Sequence, residues 1–226
     1  QAQKMFKAGA RIIDVGGEST RPGSASISAA EELHRTIPVI KKIRRLSPKA
    51  ILSIDTTKSK VALAAVKAGA TIINDISGLQ ADPAIAKIAA KYHTRLILMH
   101  RLGPSKTMQK NPRYKDILRE ILTSLQNSIS LALAAGVKKE NLIIDPGIGF
   151  GKTTEHNLYL IRNLTAFQSL GVPVLLGASR KSVIGNILKK PPQTRLSGTL
   201  AVSVFSLLGQ ADYLRVHDVQ ENREAL

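Results

Sequence analysis

The sequence predicts an α/β fold of the TIM type, a (β/α)8 barrel of which seven of the eight strands are present in this chain. Short apolar, β-branched runs alternate with helical stretches along all 226 residues, which is typical of repeated βα units. The runs are almost continuously hydrophobic, and this pattern indicates strands buried on both faces of a parallel sheet. Polar residues follow every run. A complete seven-stranded or open doubly wound sheet is the alternative.

The predicted strands share a short length and an apolar composition. They lie at 11–15, 51–54, 71–74, 95–99, 142–145, 174–176 and 213–216. Apolar residues at helical spacing predict helices between them. The clearest are 29–45 after a Ser28 cap, 59–68 before Gly69, 114–135 before Gly136, and 196–208 before Gly209.

The chain shows no linker and no second composition regime, so we expect a single domain over residues 1–226. It begins inside a predicted helix at 1–8 with no strand before it. It stops at Leu226, early in the helix expected after the last strand. The economical interpretation is a domain truncated at both ends, lacking its first strand and its last helix.

Charge is the unusual global property. The sequence holds 33 Lys and Arg residues against 16 Asp and Glu residues, a net charge of +17, and such an excess attracts many kinds of anion. The basic residues are scattered, and aromatic residues make up only 4% of the chain, too few for a base-stacking platform. We expect a solvated basic surface and no specific nucleic-acid partner, with charge-driven nucleic-acid binding as an alternative.

Two absences in the sequence bound the class of protein. No apolar run reaches the roughly 18 residues of a membrane span, so we expect no membrane partner. Cysteine is absent, which rules out disulfides, thiolate metal sites and thiolate nucleophiles in this sequence. A cysteine-free chain fits a cytoplasmic location.

Polar groups occur at the end of each predicted strand, where a barrel builds its active site. The polar exits are 16–23, 55–57, 74–75, 99–100, 145–152, 177–182 and 215–218. Taken singly, Asp55 is explained as a helix cap, Asn74 and Asp75 as turn residues, and His100 as a satisfied core histidine. Seven independent caps and turns are a poorer explanation than one shared site.

The chemistry of these exits points to a ligand with two unlike parts. Asp and Asn side chains supply acceptors and donors that suit the edge of a flat heterocycle. Arg21, Lys181, Arg215 and His217 are donors that suit phosphate or carboxylate. No spacing in the sequence indicates a zinc or di-iron site, although a hard cation held partly by substrate phosphates fits.

Five motifs resemble those of the dihydropteroate synthase family. They are 14–23 (DVGGESTRPG), 72–76 (IINDI), 145–152 (DPGIGFGK), 179–182 (SRKS) and 215–218 (RVHD). They stand in the family's order, and the resemblance runs along the whole chain. It implies a transferase of folate biosynthesis that joins a dihydropterin pyrophosphate to p-aminobenzoate, with Mg²⁺ as cofactor and a homodimeric state.

The resemblance also implies roles for individual residues. The pterin ring would lie on Asp55, Asn74, Met99, Asp145 and Lys181, with Asp55 and Lys181 as the catalytic pair. The pyrophosphate would face Arg21, Arg215, Val216 and His217. The p-aminobenzoate pocket, where sulfonamides compete, would be formed by Thr20, Arg21, Pro22, Phe150, Ser179 and Lys181.

The sequence departs from the family in two places. The family's first strand and the following Asn motif, which contributes a magnesium ligand, are absent, so we expect no metal ligand within this chain. Ile148 stands where a Phe is common. A pterin-binding module, or a barrel like the methyltetrahydrofolate methyltransferases without synthase activity, is the alternative. It shares the Asp and Asn positions but would not be expected to need the anion-binding set 179–181 (SRK) and 215–217 (RVH).

Overall fold

A computed structural model describes residues 1–20, 23–103 and 106–226. Its seven strands are β1 (Ile12–Gly16), β2 (Ile51–Asp55), β3 (Ile72–Asp75), β4 (Arg95–Met99), β5 (Leu142–Asp145), β6 (Leu175–Leu176) and β7 (Tyr213–Leu214). Each lies within one residue of a predicted strand at its start. β1 to β5 pair in parallel in chain order, and β6 pairs in parallel with β7. A parallel bridge between Ile144 and Val174 joins the two groups.

The sheet curls into a barrel. Side chains from β3, β4, β5 and β6 form one interior cluster, and both Ile12 of β1 and Tyr213 of β7 pack against it. The first and last strands in the chain therefore approach the same interior layer, as barrel side chains do. The larger apolar cluster lies on the other face, between the strands and the surrounding helices. The α/β barrel class is thereby confirmed.

The helices that follow the strands hold the outer layer. They are α1 (Ala2–Lys7), α2 (Ala29–Leu46), α3 (Ser59–Lys67), α4 (Ala84–Tyr92), α5 (Ile117–Ala134), α6 (Thr154–Arg162), α7 (Ser182–Leu188), α8 (Leu196–Leu208) and α9 (Val219–Ala225). Ser28 caps α2 as predicted, since its Oγ accepts from the Glu31 N–H. None of the helices in the described ranges is long and apolar enough to cross a bilayer.

The predicted start of one helix is wrong. The apolar stripe predicted a helix from residue 114, but α5 begins at Ile117 because Asp116 caps it by accepting from the Arg119 N–H. Glu120 closes the same turn by accepting from the backbone N–H groups of Lys115 and Asp116. Tyr114 is thus released from the helix, and its hydroxyl donates to the carbonyl of Gly151.

Candidate functional site

Strand register places the acidic and amide side chains side by side at the carboxyl end of the barrel. Asp55 of β2 pairs in register with Asn74 of β3, and Met99 of β4 pairs with Asp145 of β5. Asn74 and Asp145 are almost completely buried. Since parallel strands deliver their carboxyl ends to one face, these residues form the floor of a single site.

Arg215 binds this floor from the opposite side of the barrel. Its guanidinium Nη2 lies 3.3 Å from Asn74 Oδ1 and 3.4 Å from Asp145 Oδ2. Its Nε lies 3.5 Å from Asp14 Oδ2. Asn74 also donates from Nδ2 to Asp14 Oδ2 over 3.4 Å. One cation therefore neutralises part of an acidic floor contributed by β1, β3 and β5.

Asp14 is a site residue that the sequence analysis missed. It appears in the first motif but received no role, because it lies inside β1 two residues before the strand ends. The available signal was alternation, since side chains two apart on a strand share a face. A charged residue within an otherwise apolar strand pointed to an interior polar site.

Asp55 carries the most perturbed carboxyl of the floor. Burial, and then the charge of nearby Asp14, raises the pKa of Asp55 from 3.8 to about 8, although Arg215 opposes the shift. One oxygen each of Asp14 and Asp55 is buried and lacks a hydrogen-bond partner among the residues described. Two such acceptors suit a ligand that brings N–H groups or positive charge.

Lys181 lies between the floor and the glycine-rich loop. Its Nζ donates to the carbonyl of Ile148 over 2.5 Å and stands 4.5 Å from the centre of the Phe150 ring. Burial lowers the pKa of Lys181 to about 8, while the charge of Asp145 acts in the opposite direction. The ammonium therefore faces an acidic floor on one side and an aromatic face on the other.

The loop after β5, residues 147–151, requires glycine at both ends. Gly147 has a φ of +71°, and a Cβ there would stand 1.9 Å from the carbonyl oxygen of His100. Gly151 has a φ of +66°, and its Cβ would approach the backbone of Leu102 to 2.8 Å. Only glycine combines this backbone conformation with such close contact. The loop is thereby pressed onto the segment that follows β4.

The anion-facing motifs meet at the ends of β6 and β7. The Ser179 hydroxyl accepts from the backbone N–H of His217 over 3.2 Å and lies 3.0 Å from its ring Nδ1. Arg180, held at a φ of +57°, forms a paired contact with Asp218 through Nε and Nη2. These bonds fasten the two loops together. They leave Val216 between Arg215 and His217 at the rim.

The loop after β1 is anchored by a partly buried ion cluster. Lys58 Nζ lies 2.5 Å from Glu18 Oε2 and 2.6 Å from Glu32 Oε2. Glu18 precedes Thr20 in the loop, and Glu32 belongs to α2. Thr20, which is partly buried, is consequently tied to the barrel two residues upstream. The predicted site residues Arg21 and Pro22 lie outside the described residues.

The structure also separates site residues from structural ones. Asp75 is a turn residue, because its carboxylate accepts from the backbone of Ser77 and Leu79 and from the Ser77 hydroxyl. His100 is a satisfied core histidine, with Nδ1 3.0 Å from Lys152 Nζ. Met99 is buried with Ile76, Met108 and Phe150 in a small apolar cluster beside the floor.

No group of three acidic or histidine side chains suited to a metal ion occurs in the described ranges 1–20, 23–103 and 106–226. Asp14 and Asp55 are neighbouring acidic residues of the floor, and both have Arg215 as a neighbouring charge. The residues present therefore do not fit a magnesium cage built by the protein alone.

A parallel barrel with an acidic, amide-lined floor and a cationic rim at its carboxyl face defines a class of pterin-binding enzymes. The family model described as "Pterin binding enzyme" matches residues 1–217. A dihydropteroate synthase of Clostridium beijerinckii is 48% identical over 224 residues, covering 99% of this chain and 80% of that protein. The chain belongs to the dihydropteroate synthase family, whose members are transferases.

Solved structures agree with this assignment. The Yersinia pestis dihydropteroate synthase in complex with a sulfonamide drug superimposes with a TM-score of 0.96 at 43% identity, covering 99% of this chain and 81% of that one. The Clostridium difficile dihydropteroate synthase, crystallised in the presence of pteroic acid, gives a TM-score of 0.93 at 45% identity, covering 99% and 82%. This chain thus spans about four fifths of the length of its relatives.

Proposed function

We propose that this site transfers the 7,8-dihydropterin-6-ylmethyl group from its pyrophosphate to p-aminobenzoate, yielding 7,8-dihydropteroate and pyrophosphate. The observation that carries the proposal is the floor of Asp14, Asp55, Asn74 and Asp145 crossed by Arg215 and bordered by Lys181. It offers hydrogen-bond acceptors to a flat heterocycle and positive charge to a departing anion in one cavity. The pteroic acid and sulfonamide complexes of relatives support the same ligand classes.

The pterin half of the substrate would lie on the buried floor. Asp145 and Asn74 face the ring's amide and amino edge, and Asp55 offers an acceptor without a present protein partner. Lys181 donates toward the ring from the loop side, and Met99 packs beneath it. Buried oxygens without hydrogen bonds cost free energy. A ring that supplies N–H donors would remove that cost by bonding to them.

The two remaining substrate parts would occupy the rim. Arg215, Val216 and His217 surround the pyrophosphate, with Arg21 assigned by the family resemblance. The p-aminobenzoate would lie against Phe150, Ser179 and Lys181, below the loop that carries Thr20, Arg21 and Pro22. A carboxylate on the arylamine suits the cations on this side of the cavity.

In the proposed reaction the pyrophosphate leaves before the arylamine attacks. The C–O bond to pyrophosphate breaks and the leaving group takes the electron pair, so positive charge develops on the pterin-6-ylmethyl carbon. Asp14 stabilises that charge, and Asp55 does so in its ionised form, which a neighbouring positive charge favours, while Arg215 and His217 stabilise the departing anion. The arylamine nitrogen then forms the C–N bond and loses one proton. No side-chain nucleophile is required.

Magnesium is part of the proposal as a companion of the substrate. Since the described residues supply no metal cage, Mg²⁺ would bind the pyrophosphate oxygens and enter with them. Titrating turnover with Mg²⁺ after chelation tests the requirement, and full activity in excess chelator would remove magnesium from the proposal.

A homodimer is supported by the inverted polarity of α8. Its buried residues are Thr199, Ser203 and Ser206, whose hydroxyls bond to Arg195 O, Asn222 Oδ1 and Val202 O. Its exposed face carries Phe205 at 59% and Leu208 at 73% exposure. A second copy of the chain would remove this apolar face from water.

We place the dimer in the cytoplasm, where phosphorylated substrates are retained. Nucleic acid and membrane surfaces are not assigned as partners.

A pterin-binding module without synthase activity is the second candidate. The Asp and Asn floor serves both functions, whereas Lys181 against Phe150 and the Ser179–His217 pair serve the synthase. A module or methyltransferase would bind the pterin but would leave these groups without a ligand of their own.

The deciding experiment is product formation by the full-length protein. Dihydropterin pyrophosphate, p-aminobenzoate and Mg²⁺ are supplied together, and the product is identified by mass. Dihydropteroate that disappears when either substrate is omitted, and that a sulfonamide suppresses competitively with p-aminobenzoate, establishes the synthase. Folded protein that binds the pterin and yields no product would support the binding module.

A further inference from the structure

Side chains, not backbone ladders, hold the glycine-rich loop 147–151. Every one of its five carbonyls accepts from a side-chain donor. Lys152 Nζ donates to Gly147 O over 2.9 Å and to Phe150 O over 3.1 Å. The other three carbonyls are bound by Lys181 (Ile148 O, 2.5 Å), Gln109 (Gly149 O, 2.5 Å) and Tyr114 (Gly151 O, 2.8 Å).

Lys152 lies at the centre of this set and is only 3% exposed. The third contact of its ammonium is His100 Nδ1 at 3.0 Å. Burial and the charge of Lys152 lower the pKa of His100 to about 3, so the neutral ring offers Nδ1 as an acceptor. All three N–H donors of the ammonium are therefore used. No carboxylate forms an ion pair with Lys152 among the residues described.

A buried cation without a carboxylate partner is costly, and burial lowers the pKa of Lys152 to about 7. An apolar side chain of similar length would avoid this cost. The lysine instead links two parts of the backbone. Its ammonium bonds to His100, directly after β4, and to the carbonyls at both ends of the tight turn from Gly147 to Phe150.

The position of this turn sets the positions of Asp145 on the floor and of Phe150 and Lys181 beside it. The Gly147 N–H donates to Asp145 Oδ1 over 2.8 Å, on the floor. Farther along the turn, Ile148 O and the Phe150 ring hold Lys181 from two directions. Phe150 and Lys181 are the residues assigned to p-aminobenzoate, whereas Asp145 is also fixed by its strand.

We propose that Lys152 is a positioning residue that fixes loop 147–151, and thereby sets the arylamine subsite against the pterin subsite. The proposal rests on the proposed synthase function. Lys152 does not touch either substrate. It acts mainly through Phe150, which is assigned to the arylamine alone, so its loss disturbs the arylamine more than the pterin. The pterin keeps the floor residues Asp55, Asn74 and Asp145, which their strands hold in place.

The test compares Lys152→Met with wild type in the full-length enzyme. We expect the KM for p-aminobenzoate to rise about tenfold or more and kcat to fall, with the dissociation constant for the pterin changed by less than about threefold. The matched change Lys87→Met, at an exposed position of α4, leaves all three constants unaltered. Wild-type constants for Lys152→Met would overturn the proposal. A wild type that forms no dihydropteroate would contradict the proposed function instead.

The absence of cysteine from the sequence allows a direct rescue. Lys152→Cys is then the only thiol within residues 1–226. Once any cysteine outside these residues is replaced by serine, it can be alkylated selectively in denaturant before refolding. Aminoethylation restores an ammonium at the lysine position, and we expect it to restore the KM for p-aminobenzoate. Propylation supplies the same length without donors and leaves the defect. Equal constants for the two adducts would contradict the proposal.

Failure of the Lys152 variants to fold leaves a second route open. Gln109→Leu combined with Tyr114→Phe removes two of the loop's carbonyl contacts and retains the buried lysine. In this folded variant we expect a smaller rise, about threefold, in the KM for p-aminobenzoate alone. An unchanged KM would show that the side-chain contacts do not set the arylamine subsite.

Discussion

Asp55 places a carboxyl where the folded protein disfavours its charge. Its neighbour Asp14 and its burial together raise its pKa to about 8. Between the unfolded value of 3.8 and this folded value, the folded state binds more protons than the unfolded state. Stability therefore falls as pH rises through that window. In the proposed function, the same carboxyl is the acceptor that binds the pterin.

The substitution Asp55→Asn tests the effect of this carboxyl on turnover and its effect on stability separately. We expect turnover to fall more than tenfold, because the developing positive charge loses a carboxylate neighbour. We expect unfolding at pH 8 to require more denaturant than in wild type, by on the order of 1–3 kcal/mol in free energy, with a smaller difference at pH 5. The measurements are steady-state kinetics and denaturant titrations at both pH values. A stability difference that does not vary with pH would contradict the assigned pKa.

Lys181 is the second residue whose proposed role can be tested by a single substitution. Lys181→Ala removes the ammonium between Asp145 and the Phe150 ring, and we expect turnover to fall more than tenfold with the circular dichroism spectrum unchanged. Lys189→Ala, an exposed lysine after α7, is the matched control and retains activity. Near-normal turnover in Lys181→Ala would remove this residue from the site.

At the scale of elements, the glycine-rich loop shows how one backbone position controls a site. A methyl group at Gly147 would collide with the carbonyl of His100 in backbone that cannot retreat without moving β4. We expect Gly147→Ala to lower the free energy of unfolding by about 3 kcal/mol or more and to abolish activity, because Asp145 and Phe150 both depend on the loop.

Gly103→Ala is the control for Gly147→Ala, because the two glycines share a positive φ. Gly103 has a φ of +73°, and a Cβ there meets no atom of the described residues within 4 Å. Its substitution measures the conformational cost alone, about 1 kcal/mol. Thermal or chemical unfolding of both variants gives the comparison. Equal destabilisation would show that the contact with His100 contributes nothing.

The elements also show where sequence patterns lose accuracy. The start of α5 was placed three residues early because Tyr114 continues the apolar stripe. The stripe reports burial, but the capping contacts of Asp116 and Glu120 decide where helical backbone begins. Tyr114 is partly buried for another reason, its contact with the carbonyl of Gly151.

At the scale of the whole molecule, the exposed apolar face of α8 is where the proposed dimer would form. We expect Leu208→Glu in the full-length protein to shift it from dimer to monomer in sedimentation velocity, because a carboxylate would be buried without a counter-charge. Leu133→Glu, on the exposed face of α5, retains the dimer. A dimer in both variants would place the interface elsewhere.

The sequence by itself determined the barrel class, the order of the strands, and the membership of Asp55, Asn74, Asp145, Lys181 and Arg215 in one site. These follow from local pattern, since buried parallel strands are uniformly apolar and barrels collect functional groups at strand ends. The specific motifs then named the family. The roles of the individual residues toward each substrate stay predictions.

Only the tertiary structure decided which residues from distant parts of the chain contact each other in the barrel. Arg215 after β7 contacts Asp14 of β1 across about 200 residues of chain, and Lys152 bonds to His100 across a separation of 52 residues. A charge within an apolar strand indicates that Asp14 faces a polar interior, but the sequence does not show that Arg215 is its partner. For Lys152, neither its burial nor its partners leave a periodic pattern in the sequence. Such contacts arise when curvature of the sheet brings distant strands together, and this curvature is a property of the whole fold.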